Sequence, residues 1–194
     1  MDDSYIEYMQ SEQVPTHQQA PQSEEETVRA TSKSTRYFSL KVHGNKAAIE
    51  IKADTTRNSF QTIRIESAVI ASQNNEKPKR YDWGNKIQIQ LTKTDLLDFI
   101  ASMLLIQESS EFKHYGERND KSASFKFQTN DTQKKIFAQI GQKSKPLMGI
   151  PISLNDAIQI GHMALNQYCK NFPNVTSDSV IQTLNRLASL KYKT

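Results

Sequence analysis

The chain has little with which to build a cross-link or a metal cage. Cys169 is its single cysteine, so neither an internal disulfide nor a paired-thiol metal site can form, and Cys169 reads as a small apolar helix residue. The four histidines, His17, His43, His114 and His162, lack the spacing that brings two imidazoles to one metal. Glycine is also scarce, with six in 194 residues. There is no Gly-rich phosphate loop, no GxGxxG after a strand and no GxSxG elbow. Asp95 and Asp156 read as helix caps, which leaves no obvious carboxylate pair for acid-base chemistry. No enzyme, metal or cofactor is expected. Long apolar runs are missing too: none approaches the roughly 18 residues of a spanning helix. The N-terminus has neither a signal-peptide order nor the Arg-rich, acid-poor composition of a transit peptide. The expectation is a cytoplasmic protein without membrane association.

What is present divides by charge. Residues 1–34 hold seven acids against Arg29 and Lys33, a net −5, so the other 160 residues must carry +9 to give the overall +4. The acidic segment is rich in Gln, Ser, Glu, Thr and Pro. It has too few large apolar groups to offset the entropy cost of folding, so it is expected to be a disordered tail. A basic body suits a polyanion, and the tail suits competition for that basic surface or a protein partner.

From Arg36 the hydrophobic period is two. "YFSLKVH", "AAIEIKA", "FQTIRIESAVIA" and "KIQIQL" read as four strands, with His43-Gly44-Asn45 as a tight turn between the first pair. The period then becomes helical, with Thr92-Lys93-Thr94-Asp95 as a capping box and Leu96, Leu97, Ile100, Met103 and Leu104 as the apolar stripe. The same programme follows again: "SEFKHYG", "SASFKFQ", "KKIFAQIG" and "LMGIPIS" as strands, then a helix opened by Ser153 and running to about Phe172. An offset of 61 residues superposes "IQLTKTDLLDFIASML" on "IPISLNDAIQIGHMAL". The expected fold is α+β, a duplicated unit of four antiparallel strands and a helix, giving two packed sheets with the helices on one side. Residues 35–173 form this domain. Residues 174–194 form an extra amphipathic helix after Pro173, with Val180, Ile181, Leu184, Leu187 and Ala188 on one stripe.

Alternation also assigns faces. Opposite the apolar side lie Lys41, Lys52, Arg64, Lys86, Lys113 and Lys126, interleaved with Phe60, Tyr81, Trp83, Tyr115 and Phe127. Cations neutralise phosphates and aromatic rings stack unpaired bases, so this face suits single-stranded nucleic acid. The same pattern also fits lysines kept for solubility, and Phe60 and Phe127 as core residues. Trp83, the only tryptophan, stands in "RYDWGNK". Tyr81 and Trp83 could stack bases with Arg80 and Lys86 on phosphates, or the turn could clamp a sister subunit.

Two runs of four strands plus a helix, with "VHGNKAAIEIKAD", "RYDWGNK", "ESSEFKHYG" and "GIPIS" in that order, resemble the Whirly family of single-stranded DNA-binding proteins from about Arg36 to Phe172. The resemblance implies two antiparallel sheets packed roughly perpendicular. It also implies a homotetramer held by its helices, which would put Leu97, Ile100, Leu104, Ile160 and Ala164 at subunit contacts. Single strands would bind along the sheets with little sequence preference. The family's Lys-Gly-Lys/Asn-Ala-Ala type motif corresponds to Gly44-Asn45-Lys46-Ala47-Ala48, with His43 where lysine is often found, and adds Lys46 to the expected binding residues. The acidic N-terminal segment and basic "LNRLASLKYKT" differ from plant members, and fit a plasmid or phage-related protein of replication, repair or conjugative transfer. The alternatives are a single-stranded RNA-binding protein and a protein-binding adaptor in a DNA-transfer complex.

Overall fold

The computed structural model describes residues 38–71, 80–115, 120–130 and 132–191. The expected tail over residues 1–34 lies outside them. The strands are β1 (Ser39–His43), β2 (Ala47–Thr55), β3 (Gln61–Val69) and β4 (Ile87–Gln90), followed by helix α1 (Lys93–Met103). Then come β5 (Ser109–His114), β6 (Lys121–Thr129), β7 (Lys134–Gln142) and β8 (Met148–Ser153), with α2 (Leu154–Cys169) and α3 (Ser177–Lys191). A short 3-10 turn, Trp83–Asn85, leads into β4.

Each run of strands pairs in chain order and antiparallel, β1-β2-β3-β4 in one sheet and β5-β6-β7-β8 in the other. The β1–β2 turn needs Gly44 for space: a Cβ there would lie 2.8 Å from the Ala47 carbonyl oxygen. That oxygen accepts the Gly44 N–H at 2.9 Å. Both helix starts are capped by the expected hydroxyls. Thr92 Oγ1 accepts the Asp95 N–H while Asp95 accepts the Thr92 N–H, and Ser153 Oγ accepts the Asp156 N–H. The α2 helix stops at Cys169, short of the expected Phe172. Asn171 leaves the helix to grip β3, accepting the Gln61 N–H at 2.7 Å and donating to the Gln61 oxygen at 2.9 Å. Pro173 further disfavours helix at the residue before it.

The apolar faces of both sheets meet the helices. The α2 helix packs on β2, β3, β7 and β8, and α1 packs on β3, β5, β6 and on α2. Between them lies one continuous core, with Phe99, Phe112 and Phe125 in mutual ring contact and Phe99 edge-on to Phe125 at 5.0 Å. Gly161 lets α1 and α2 approach, since a Cβ there would stand 2.6 Å from Leu104 Cδ2 and 3.1 Å from Met103 Cβ. Val180 and Leu184 attach α3 to this body, while Leu187 and Leu190 stay exposed. Among the described residues no helix is long and apolar enough to cross a membrane.

Candidate functional site

Register decides what the polar face of the first sheet can do. Lys41 stands across from Glu50, Glu50 from Glu66, and Glu66 from Gln88; in the next row Lys52 faces Arg64, and Arg64 faces Gln90. Glu66, only 2% exposed, receives Lys52 and Lys86 at 2.8 Å each. Glu50 receives Lys41 and Lys52. Arg64 grips Asp54 with two N–H groups, at 2.9 and 3.0 Å. Burial pushes the Glu66 carboxyl up, but the two lysines outweigh it and hold it below the usual range. Burial likewise works against the charged Lys52, yet Glu66 and Glu50 hold its ammonium above the usual value. The expectation of an open basic surface is therefore corrected here: Lys41, Lys52, Arg64 and Lys86 share their face with Glu50, Asp54 and Glu66, which neutralise most of their charge.

The aromatics at this end are also committed. Tyr81 donates its hydroxyl to the Gly44 oxygen at 2.8 Å, and its ring contacts those of His43 and Trp83. Trp83 is half-buried, with the Lys41 ammonium 5.8 Å from its ring centre. Asp82 closes the 3-10 turn through the Asn85 side chain and backbone. The Lys145 ammonium donates to the Asn85 oxygen at 2.7 Å. The turn is thus held from one side by the β1–β2 hairpin and from the other by the β7–β8 turn. Arg80 and Lys46 are exposed beside it.

Two expected groups fall elsewhere. Phe60 is buried at 8% exposure, its ring under the Lys93 ammonium, so it is a core residue rather than a surface platform. Ile100, Ile160 and Ala164 are fully buried inside the single chain. Their stripe is spent on packing α1 and α2 against each other and the sheets, so they are not available at a subunit contact. Leu97 and Leu104 are half-buried against the same core. Lys126 is exposed, 3.8 Å from Glu108.

A groove runs where the two sheets meet. One part, about 590 Å³, is lined by Arg64, Gln88, Gln90, His114, Tyr115 and Lys121. The adjoining part, about 430 Å³, shares Tyr115 and Lys121 and adds Lys113, Lys143, Lys145 and Leu147. Its floor is Ser122 and Gly141, cross-strand neighbours on β6 and β7. Tyr115 is 81% exposed at the end of β5. The β7–β8 turn carries Lys143 and Lys145 on either side of Ser144, whose φ of 75° and the Lys145 N–H to Gln142 oxygen bond suit a type II turn.

The electrostatics of this groove differ from those of the first sheet. Lys121 and Lys145 donate to main-chain oxygens, of Gln88 at 2.9 Å and Asn85 at 2.7 Å, and these are neutral acceptors. Among the described residues neither they nor Lys143 forms an ion pair with a carboxylate; the Asp82 carboxyl, held below its usual range first by the Asn85 side chain, is also drawn on by the Lys145 charge across the turn. Asp120 is the acid that lines the groove, and Lys113 is paired with Glu111 at 3.0 Å. His114 Nε2 lies 2.9 Å from Asp95 Oδ2, which ties the groove wall to the α1 cap. Burial pushes the Asp95 carboxyl up, but Thr92 and His114 hold it below the usual range. Of the expected binding residues, Arg64, Lys113 and Tyr115 meet here. Lys121, Lys143 and Lys145 were not among those expected, although "KSK" in a turn directly after a strand is a visible basic signal.

Fold and groove together define an α+β protein of two antiparallel meander sheets with a cationic seam between them. Neither protein-family models nor curated proteins give a match to this chain.

Proposed function

We propose that the protein binds single-stranded nucleic acid, DNA in the first place, in the groove between the sheets, and that it coats or protects the strand without catalysing a reaction on it. The observation that carries this reading is the set of three ammonium groups, Lys121, Lys143 and Lys145, that among the described residues form no ion pair with a carboxylate and stand beside the exposed Tyr115 ring. Phosphates take the cations and an unstacked base takes the ring, a combination that tolerates any sequence. A rigid duplex has no free base faces to offer Tyr115. The order of elements, twice four strands and a helix, supports kinship with the Whirly family and a duplicated origin. Assembly of subunits is proposed to use the outer helix surface, where Ile158, Leu187 and Leu190 are exposed, in place of the buried stripe.

Fluorescence anisotropy with 20- to 30-nucleotide single-stranded DNA, matched RNA and duplex, at two salt concentrations, tests the reading. Contacts to three to five phosphates give a slope of log K against log salt of about −2 to −3.5 for a single strand. Equal affinity for duplex, or no salt dependence, removes it. Tighter binding of the matched RNA would assign the groove to RNA.

A further inference from the structure

Strand β4 borders the groove with its main chain. Ile89 lines the part that holds Arg64 and Lys121, yet it is only 2% exposed, its side chain being spent on the core. What it shows the groove is the edge of the strand. Facing residues of an antiparallel pair alternate between those that exchange main-chain hydrogen bonds and those that do not. Leu91 donates its N–H to the Ile63 oxygen at 2.9 Å, which fixes the phase. Ile87 and Ile89, opposite Ser67 and Ile65, therefore turn their main-chain groups toward β3. Gln88 and Gln90, opposite Glu66 and Arg64, turn theirs away from it, to the open side.

An open edge offers both donors and acceptors. Here two of the acceptors are already met by ammonium groups. Lys121 sits on the Gln88 oxygen at 2.9 Å, and Lys145 lies 3.4 Å from the Lys86 oxygen. Among the described residues the main-chain N–H groups of Gln88 and Gln90 have no partner. Two residues along a strand place them about 7 Å apart. The Gln88 carbonyl, with the Lys121 ammonium on it, lies between them along the chain. An added peptide strand would need that oxygen as an acceptor, and Lys121 occupies it. A phosphate needs only donors and positive charge, and this edge supplies both.

We infer that the β4 edge seats the phosphates of the bound strand: the Gln88 and Gln90 main-chain N–H groups donate to phosphate oxygens, and the Lys121 ammonium between them supplies the charge. The inference rests on the single-strand binding reading and concerns the same groove. The spacing of the two donors is close to that of successive phosphates in an extended strand, so the nucleic-acid backbone follows β4 and its bases are left to Tyr115, which lines the same part. Main-chain donors read no base, which suits binding without sequence preference.

The test removes an N–H and little else. Proline does so, and an edge strand tolerates it where the N–H side faces outward. Gln88→Pro is compared with Gln88→Ala, because both lose the amide side chain and only proline loses the N–H. Thermal melts verify that both are folded. In anisotropy with a single-stranded DNA oligomer, Gln88→Pro is expected to bind roughly tenfold more weakly than Gln88→Ala, as loss of one hydrogen bond to a charged group gives. Amide NMR of the natural protein is the second readout: the Gln88 and Gln90 N–H signals are expected to move downfield as the oligomer is added. Equal binding by the two variants overturns the inference and leaves single-strand binding standing. So do Gln88 and Gln90 signals that stay in place while those of Tyr115 and Lys121 move, and this result alone decides if Gln88→Pro does not fold. Failure of the natural protein to bind the oligomer removes the binding reading and this inference with it.

Discussion

The Lys121 ammonium donates a 2.9 Å hydrogen bond to the main-chain oxygen of Gln88, 33 residues earlier on the other sheet. Its charge is held at the seam by a neutral acceptor and remains available to a phosphate. Lys121→Met is expected to weaken single-strand binding about three- to tenfold and to reduce the salt slope by about 0.7, the share of one phosphate contact. Lys126→Met is the control, because that residue stands about 17 Å further along β6. An equal loss from both would assign binding to diffuse charge rather than to the groove.

Tyr115 is too exposed to hold the fold together, so its removal isolates a surface role. Tyr115→Ala is expected to cost about 1–3 kcal/mol of binding per stacked base, with an unchanged melting temperature. Tyr115→Phe keeps the ring and should bind nearly as the natural protein does. Titration of the three proteins against one labelled oligomer reads the difference.

Glu66 gives stability a dependence on pH. Its folded carboxyl is held below the ordinary value, so its contribution is full above about pH 4.3 and is lost as acidification passes through the lowered folded value. Lys52 works on the opposite limb. Its ammonium is held above the ordinary value, so that contribution disappears as the solution becomes more alkaline than the usual lysine range. Glu66→Gln leaves Lys86 without its carboxylate. It is expected to lower stability at neutral pH by about 1–3 kcal/mol and to flatten the acid limb. Urea melts between neutral and acid pH measure both.

Ile160 belongs to the core of one chain. Ile160→Ala should cost about 2–5 kcal/mol of folding stability and leave the mass of the folded protein by light scattering unchanged. Leu190→Asp, on the exposed part of α3, should leave stability within about 0.5 kcal/mol and reduce the mass if the outer helix surface joins subunits. Dissociation caused by Ile160→Ala at temperatures where it stays folded would return the buried stripe to the interface.

The elements were legible because their signals are local. Alternation such as "IQIQL" marks a strand within five residues, and Thr92 with Asp95 marks a helix start within four. The site was less legible because its charges are settled at a distance. Lys52 looks like a free cation until register brings Glu66, 14 residues on, against it. Lys145 looks like a turn lysine until its ammonium meets Asn85, 60 residues earlier. Phe60 precedes β3 with the parity of an outward residue, but the loop ahead of the strand breaks that parity and tucks it under Lys93. Period-two reasoning finds faces; it does not find which cation on a face already has a partner.

β4 closes one side of the first sheet, and Lys121 holds its backbone oxygen at Gln88. β8 closes one side of the second and lies against β1, β2 and β3. The sides left for a stray strand are at β1 and β5, which carry Lys41 and the Glu111–Lys113 pair, charges of the kind that discourage edge-to-edge pairing. Copies crowded along one nucleic-acid strand, as the proposed reading has them, would then not join sheet edge to sheet edge, because the lysine that shapes the groove also occupies a main-chain oxygen of the neighbouring edge.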